Sequence, residues 1–375
     1  MLAIIAGASF YLSSFGRFLA GRQDNQNNVL SSNVSNVPVY TPSSKLENPP
    51  EIVKAVYVTG WSAGNKKYLD YLNYLFKNTE INAVVVDIKD SGGGVSYNSG
   101  AEAVKKYNLY NRAIKDIDAL IKSFHDQNVY VIGRIVVFED TVYSKVRPDL
   151  AIYDELNTTD KTQPVLWRDN SGLSWLDPAS KEVWDYTTSL AKDAFYNGFD
   201  EINFDYIRFP SDGKTKNMGF PFQDDKTSMS EVIKSFFQYL RANLSGKISV
   251  DLFGQTTTST SDMGIGQIIE DAFGSFDYIS PMIYPSHYID GFLGFSNPAE
   301  HPYEVVNDAM SSAITKLPLA KFRPWIQDFD MGASYSADMV KLEIKATQDA
   351  LVKDYNGFML WNAGNIYTAE AVSKP

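Results

Sequence analysis

The sequence predicts an α/β fold, a single (β/α)8 TIM barrel over about residues 53–370, preceded by an apolar N-terminal segment and a disordered tether. Two observations predict it. Eight short runs rich in β-branched and aromatic residues alternate with longer segments whose apolar residues recur at helical spacing. The first run also leads into "SAGNKK" rather than the glycine-rich phosphate loop that marks a dinucleotide-binding open sheet. No fixed-period repeat and no second domain are visible.

Taken in order, the first strand is "AVYVTGW" (55–61), followed by "KKYLDYLNYLFKN" (66–78), which puts Leu69, Leu72 and Phe76 on one helical stripe. The second strand is "AVVVDIKD" (83–90), and the helical segment 111–127 repeats the stripe with Ile114, Ile117, Leu120, Ile121 and Phe124. "VYVIGRIVVF" (129–138) and a helical segment over 180–198 make the third pair. "EINFDYIRF" (201–209) with 228–244 makes the fourth, and "KISVDLFG" (247–254) is the fifth strand. "YISPMIYP" (278–285) with 301–315, "FRPWIQDF" (322–329) with 336–354, and "GFMLWNA" (357–363) complete the eight.

Residues 1–22 are apolar apart from Arg17, Arg22 and a few small polar residues, and read as a signal peptide or a membrane anchor. Both arginines follow the apolar run and no Lys or Arg precedes it, an order that by the positive-inside rule would keep the rest of the chain in the cytoplasm. Residues 23–52 are rich in Asn, Ser and Pro and read as a flexible linker. Such a tether behind an apolar start fits a domain held off a membrane, so the expectation is an extracellular or membrane-anchored protein facing outside the cytoplasm. With no cysteine in the chain, disulfides, thiolate metal sites and a lipoprotein anchor are excluded. A net charge of −11 argues against nucleic acid as a partner.

In a barrel the C-terminal ends of the strands carry the chemistry. The polar strand residues gather there: Asp87 and Lys89 on the second strand, Arg134 on the third, and Asn203, Asp205 and Arg208 on the fourth. Asp251 stands on the fifth, Tyr284 and His287 on the sixth, Gln327 on the seventh, Trp361 and Asn362 on the eighth. Period-2 alternation puts Asn203 and Asp205 on one face of their strand and Phe204 and Tyr206 on the other, towards the helices. Asp90, Asp140 and Asp328 lie beside loops and suit turn or cap acceptors. Arg134 equally suits a structural ion pair with Asp87 or Asp205.

Two carboxyl groups at such a mouth can cleave a glycosidic bond, one protonating the leaving oxygen and one facing the cationic anomeric carbon. The aromatic residues Tyr57, Trp61, Tyr206, Tyr284, Trp325 and Trp361 suit sugar faces. The histidines, His125, His287 and His301, fall in no metal-binding spacing, which argues against a metal-dependent deacetylase; neither a metal nor a cofactor is expected.

The stretches "GFDEINFDYIRFPSDG", "VVVDIKDSGGGVSY", "LDPASKEVWDY", "SVDLFG", "DYISPMIYPSHY" and "GFMLWNAGNIY" closely resemble the bacterial "putative glycosyl hydrolase domain" family (domain of unknown function 4015). The resemblance runs from about Lys54 to Tyr367. It implies a glycoside-hydrolase-like barrel in which Asp205 matches the catalytic Asp on strand four of related sugar-cleaving barrels. Several of those families place a Glu on strand five, where this chain has Asp251.

The expected function is therefore hydrolysis of a polysaccharide or cell-envelope glycan by a two-carboxylate mechanism. Asp205 is the expected nucleophile or charge stabiliser beside Arg134 or Arg208, Asp251 the first candidate acid/base and Asp87 the second. Tyr57, Trp61, Lys89, Arg134, Asn203, Arg208, Tyr284, His287, Gln327, Trp361 and Asn362 are candidate substrate-binding residues. The membrane is a further partner if the N-terminal segment stays uncleaved. The short Asp251 side chain suggests a wide carboxyl separation, ~6.5–9.5 Å, with Asp87 as the closer partner of Asp205. The alternative is a glycan-binding barrel that lacks a working acid.

Overall fold

The structure is a computed structural model that describes residues 44–374. The apolar segment expected over 1–22 and the tether up to residue 43 lie outside the described residues. Among the described residues, no helix is long and apolar enough to cross a membrane.

Eight parallel strands close into a barrel. They are β1 (Val53–Val58), β2 (Ala83–Lys89), β3 (Tyr130–Val136), β4 (Glu201–Asp205), β5 (Lys247–Phe253), β6 (Tyr278–Ile283), β7 (Trp325–Gln327) and β8 (Gly357–Trp361). Each pairs with its neighbour in sequence, and β8 closes on β1 in the register Val53 to Gly357 through Val56 to Leu360. Outward residues such as Val84, Val86, Val131, Phe204, Val250 and Leu252 pack in one large apolar core with the helices. Inward residues Val53, Ala55, Ala83, Val85, Ile132 and Met359 fill the barrel. Strands buried on both faces are apolar throughout, which is why they stand out as continuous β-branched runs.

The interior is not apolar all round. On β4 and β5 the inward positions are Glu201, Asn203, Asp205, Ser249 and Asp251, all buried. Low in the barrel, Glu201 accepts from Ser249 Oγ at 2.6 Å and Tyr130 OH at 3.2 Å, and pairs with the fully buried Arg323. This lower ionic layer supports the polar layer above it.

Several boundaries differ from the sequence expectation, beginning with the first strand, which runs Val53–Val58. The fourth strand stops at Asp205 because Tyr206 takes a left-handed backbone, φ 54°, and turns its N–H onto Asp205 Oδ1 at 2.6 Å. The third strand ends at Val136, and the seventh shrinks to Trp325–Gln327. The helix expected over 111–127 begins at Ile117, where Asp116 caps it by accepting from Ala119 N, after Arg112 breaks the run with φ 61°. The loops after β3 and β4, to which the sequence assigns no element, contain a helix Thr141–Val146 and an antiparallel ladder of Tyr153–Asp154 with Met218–Gly219.

Candidate active site

Asp205 ends β4 and points into the barrel mouth, where Arg134 of β3 meets it. The guanidinium donates twice to Asp205 Oδ2, from Nη2 at 2.6 Å and Nε at 3.1 Å, and once to Asp87 Oδ1 at 2.6 Å. Tyr57 OH completes the layer by donating to Asp87 Oδ2 at 2.6 Å. All four side chains are buried. Burial works against the Arg134 charge, and Asp87 and Asp205 outweigh it, holding the guanidinium well above its ordinary pKa. Burial pushes the Asp87 carboxyl up, opposed by Arg134 and the Tyr57 hydroxyl.

Asp251 has a different environment. The register Asn203 to Ser249 and Phe204 to Val250, extended by one residue, sets Asp205 level with Asp251 on the adjacent strand. Asn203 Nδ2 donates to Asp251 Oδ1 at 2.7 Å, and Asp251 Oδ2 is buried with no hydrogen-bond partner. Burial raises its carboxyl well above the usual range and the neighbouring Asp205 charge raises it further, against the Asn203 amide, Arg134 and the nearby Trp325 indole N–H. Two neighbouring carboxyl groups thus differ in kind. One is clamped by a cation; the other is buried without one, which favours its protonated form.

Above this layer opens a cavity of about 460 Å³. Asp205 and Arg134 form part of its floor, and Tyr206, Arg208, Phe253, Tyr284, His287, Trp325 and Trp361 form much of its wall. Trp361 stacks on Tyr57 (4.1 Å, 22°) and meets Trp325 edge-on (5.5 Å, 89°). Burial lowers the His287 pKa, so its ring is neutral at pH 7. Flat apolar faces beside a charged floor suit a sugar ring.

Of the residues singled out in the sequence, Asp205, Arg134, Arg208, Tyr284, His287 and Trp361 line the cavity. Asp87, Tyr57, Asn203 and Asp251 lie just beneath it in the hydrogen-bonded layer described above. The other four lie elsewhere. Trp61 is 61% exposed on the short helix Gly60–Ala63, outside the cavity wall. Lys89 is fully buried and donates to Asp140 Oδ2 at 2.7 Å, because the register shifts between Asp87 and Lys89 and breaks the alternation. Asp140 also caps the helix Thr141–Val146 and crowds the glycine-rich turn: a Cβ at Gly93 (φ 93°) would sit 2.0 Å from its Oδ1. Gln327 is tied to Ser286 and Phe329 O, and Asn362 to Asp328 O and Gly364 N. Asp90 accepts from Gly93 N and Asp328 from Thr368, as turn acceptors do.

Tyr206 departs from the alternation expected of it. Phe204 faces the helices, but the turn at Tyr206 brings that ring to the cavity and to Trp175 at 5.8 Å. Sequence reasoning also missed Ser211, Asp212, Gln255 and Tyr288, which line the cavity from the loops after β4, β5 and β6. Only the rule that strand-to-helix loops build the mouth would have pointed to them. Glu139, just past the end of β3, is a further buried carboxyl: burial first, then the neighbouring Asp169, push it up to about 8. Among the described residues, no group of three or more His, Cys, Asp or Glu side chains could hold a metal ion.

Two glycoside hydrolase structures share the architecture. The glycoside hydrolase domain of PgaB (BpsB) from Bordetella bronchiseptica aligns with a TM-score of 0.58 at 14% identity, covering 86% of this chain and 99% of that one. The α-galactosidase TtGalA from Thermus thermophilus aligns at 0.52 and 12% identity, over 88% of this chain and 61% of its own. A hypothetical protein from Ruminiclostridium thermocellum is 38% identical over 56% of this chain and 98% of its own, with a TM-score of 0.47. No protein of curated function matches. The model of one family matches residues 55–367, nearly the whole barrel, and the chain therefore belongs to the family described as the "putative glycosyl hydrolase domain".

Proposed function

We propose that this protein hydrolyses O-glycosidic bonds of a polysaccharide or cell-envelope glycan, with Asp205 beneath the anomeric carbon and Asp251 as the proton donor. The observation that carries the proposal is the split between the two carboxyl groups. Asp205 is paired with Arg134 at the cavity floor, while Asp251, level with it on the next strand, is buried and has an unpartnered oxygen. Pairs of titratable groups with opposed environments are the usual means of dividing nucleophile from acid. Neighbouring strands lie ~4.8 Å apart, which supports the short carboxyl separation of a retaining enzyme over the wide one of an inverting enzyme. Family membership and the glycoside hydrolase neighbours support the reaction class. The apolar start and the Asn/Ser/Pro-rich tether support work outside the cytoplasm, anchored to the membrane if the segment is not removed.

A second reading, a glycan-binding barrel without hydrolysis, draws on one observation: Asp251 lies beneath the cavity and does not line it. The readings separate on a panel of envelope glycans and plant polysaccharides, with released reducing ends measured for the wild type and Asp251→Asn. Hydrolysis by the wild type, slowed by about 10²–10⁴-fold in the variant, supports the proposal. Glycan binding by calorimetry, unchanged in the variant and without product after long incubation, supports the second reading.

A further inference from the structure

We propose that Arg208 recognises an anionic substituent (carboxylate, phosphate or sulfate) on the sugar seated over Asp205, so that the substrate is an acidic glycan. The inference rests on the glycoside reading of the same cavity. Four cationic side chains are buried among the described residues: Lys89, Arg134, Arg208 and Arg323. Lys89 holds Asp140, Arg134 holds Asp87 and Asp205, and Arg323 holds Glu201. Arg208 has no such partner. It is 8% exposed and lines the cavity. Its Nη1 donates to Phe209 O at 3.1 Å and Ser211 Oγ at 3.3 Å, and its Nε and Nη2 donate to no described residue.

Its surroundings fix the guanidinium without satisfying it. The rings of Trp175, Tyr206 and Phe253 stand 4.8, 4.9 and 4.8 Å from its central carbon. Aromatic faces offset part of the cost of burying a cation, and Asp205, Glu139 and Asp212 act on it only through space, none as an ion pair, so burial still lowers its pKa. With rings against it on three sides, an edge of N–H donors is what Arg208 can offer a ligand. That fork matches the two oxygens of a carboxylate, phosphate or sulfate.

The nearby acidic groups leave room for such a ligand. Asp205 is occupied by Arg134. Asp212 is exposed at the cavity rim and forms no ion pair with Arg208, its Oδ1 accepting from Asn170 N at 3.1 Å. Glu139 is buried beside Asp169, which favours its uncharged form at neutral pH.

The test is calorimetric binding to the full chain of four probes: an oligogalacturonate, its fully methyl-esterified form, inorganic phosphate and inorganic sulfate. The expected result is binding of at least one anion that weakens about 10- to 100-fold in Arg208→Met and is partly kept in Arg208→Lys. Preference for the uronate over its ester assigns a sugar carboxylate. Preference for phosphate or sulfate assigns a phosphorylated or sulfated sugar. The proposal is overturned if no anion binds the wild type, or if Arg208→Met, shown folded by circular dichroism, binds them as the wild type does. Should Arg208→Met fail to fold, the same comparison is made with Arg208→Lys, where unchanged binding of phosphate, sulfate and uronate overturns bidentate recognition. A chain that cleaves only neutral glycans keeps the hydrolase reading and loses this one. A chain that binds anions through Arg208 and releases no product does the reverse.

Discussion

Arg134 does two jobs with one side chain, bonding Asp205 through Nη2 and Nε and Asp87 through Nη1. Arg134→Met would leave two buried carboxyl groups without a cation, a defect expected to cost about 3–5 kcal/mol by urea denaturation. Without the cation that opposes burial, the Asp87 pKa in the folded state would rise further, so the loss should grow as pH rises above the ordinary carboxylate range. A cost under about 1 kcal/mol would show that the triad is not what holds the mouth together. Asp251 gives a prediction of opposite sign. Its folded-state pKa is raised, so the folded chain holds a proton that the unfolded chain releases, and wild-type stability falls as pH rises above the ordinary carboxylate range. Asp251→Asn keeps an oxygen for Asn203 and removes that penalty. The variant should match the wild type near pH 4 and gain on it progressively towards pH 8. A deficit that widens with pH would mean that Asp251 is ionised in the fold.

At the scale of elements, β8 begins where the chain has no room for a side chain. Gly357 has φ 101°, and a Cβ there would lie 1.8 Å from Val53 O on β1, across the seam that closes the barrel. Gly357→Ala should therefore destabilise by roughly 2 kcal/mol or more in chemical denaturation, and a change below about 0.5 kcal/mol would contradict the close approach. The existence of the strands was legible because burial on both faces leaves uninterrupted β-branched runs. Their ends were not, because single backbone turns set them. The turn at Tyr206 cut β4 short and swung an aromatic ring into the mouth, and the register shift after Asp87 carried Lys89 to Asp140. Asp205, Asn203 and Arg134 were legible as a cluster, since polar residues in buried strands must find one another. The short ladder between the loops after β3 and β4 has two residues per strand, too few for any periodicity to register.

For the whole molecule, the barrel is closed from below by the chain that leads into it. Leu46 packs against the interior cluster, and its N–H donates to Asp200 Oδ1 at 2.7 Å. Leu46→Ser should lower stability by about 1–2 kcal/mol without changing glycan affinity, as thermal melting and calorimetry would show. Equal melting temperatures would mean that this segment adds nothing to the barrel. Inside the barrel the buried ion pairs form two layers, Glu201 with Arg323 below and Asp87, Arg134 and Asp205 above, and the upper layer opens on the aromatic cavity. The central claim is that Asp205 acts on the substrate. It is tested most directly by the turnover number of Asp205→Asn on whichever panel glycan the wild type cleaves, with folding checked by circular dichroism. Asp205→Asn has the same shape without the charge, so turnover is expected to fall by about a thousandfold or more while glycan binding persists. Turnover within a few-fold of the wild type would contradict the account.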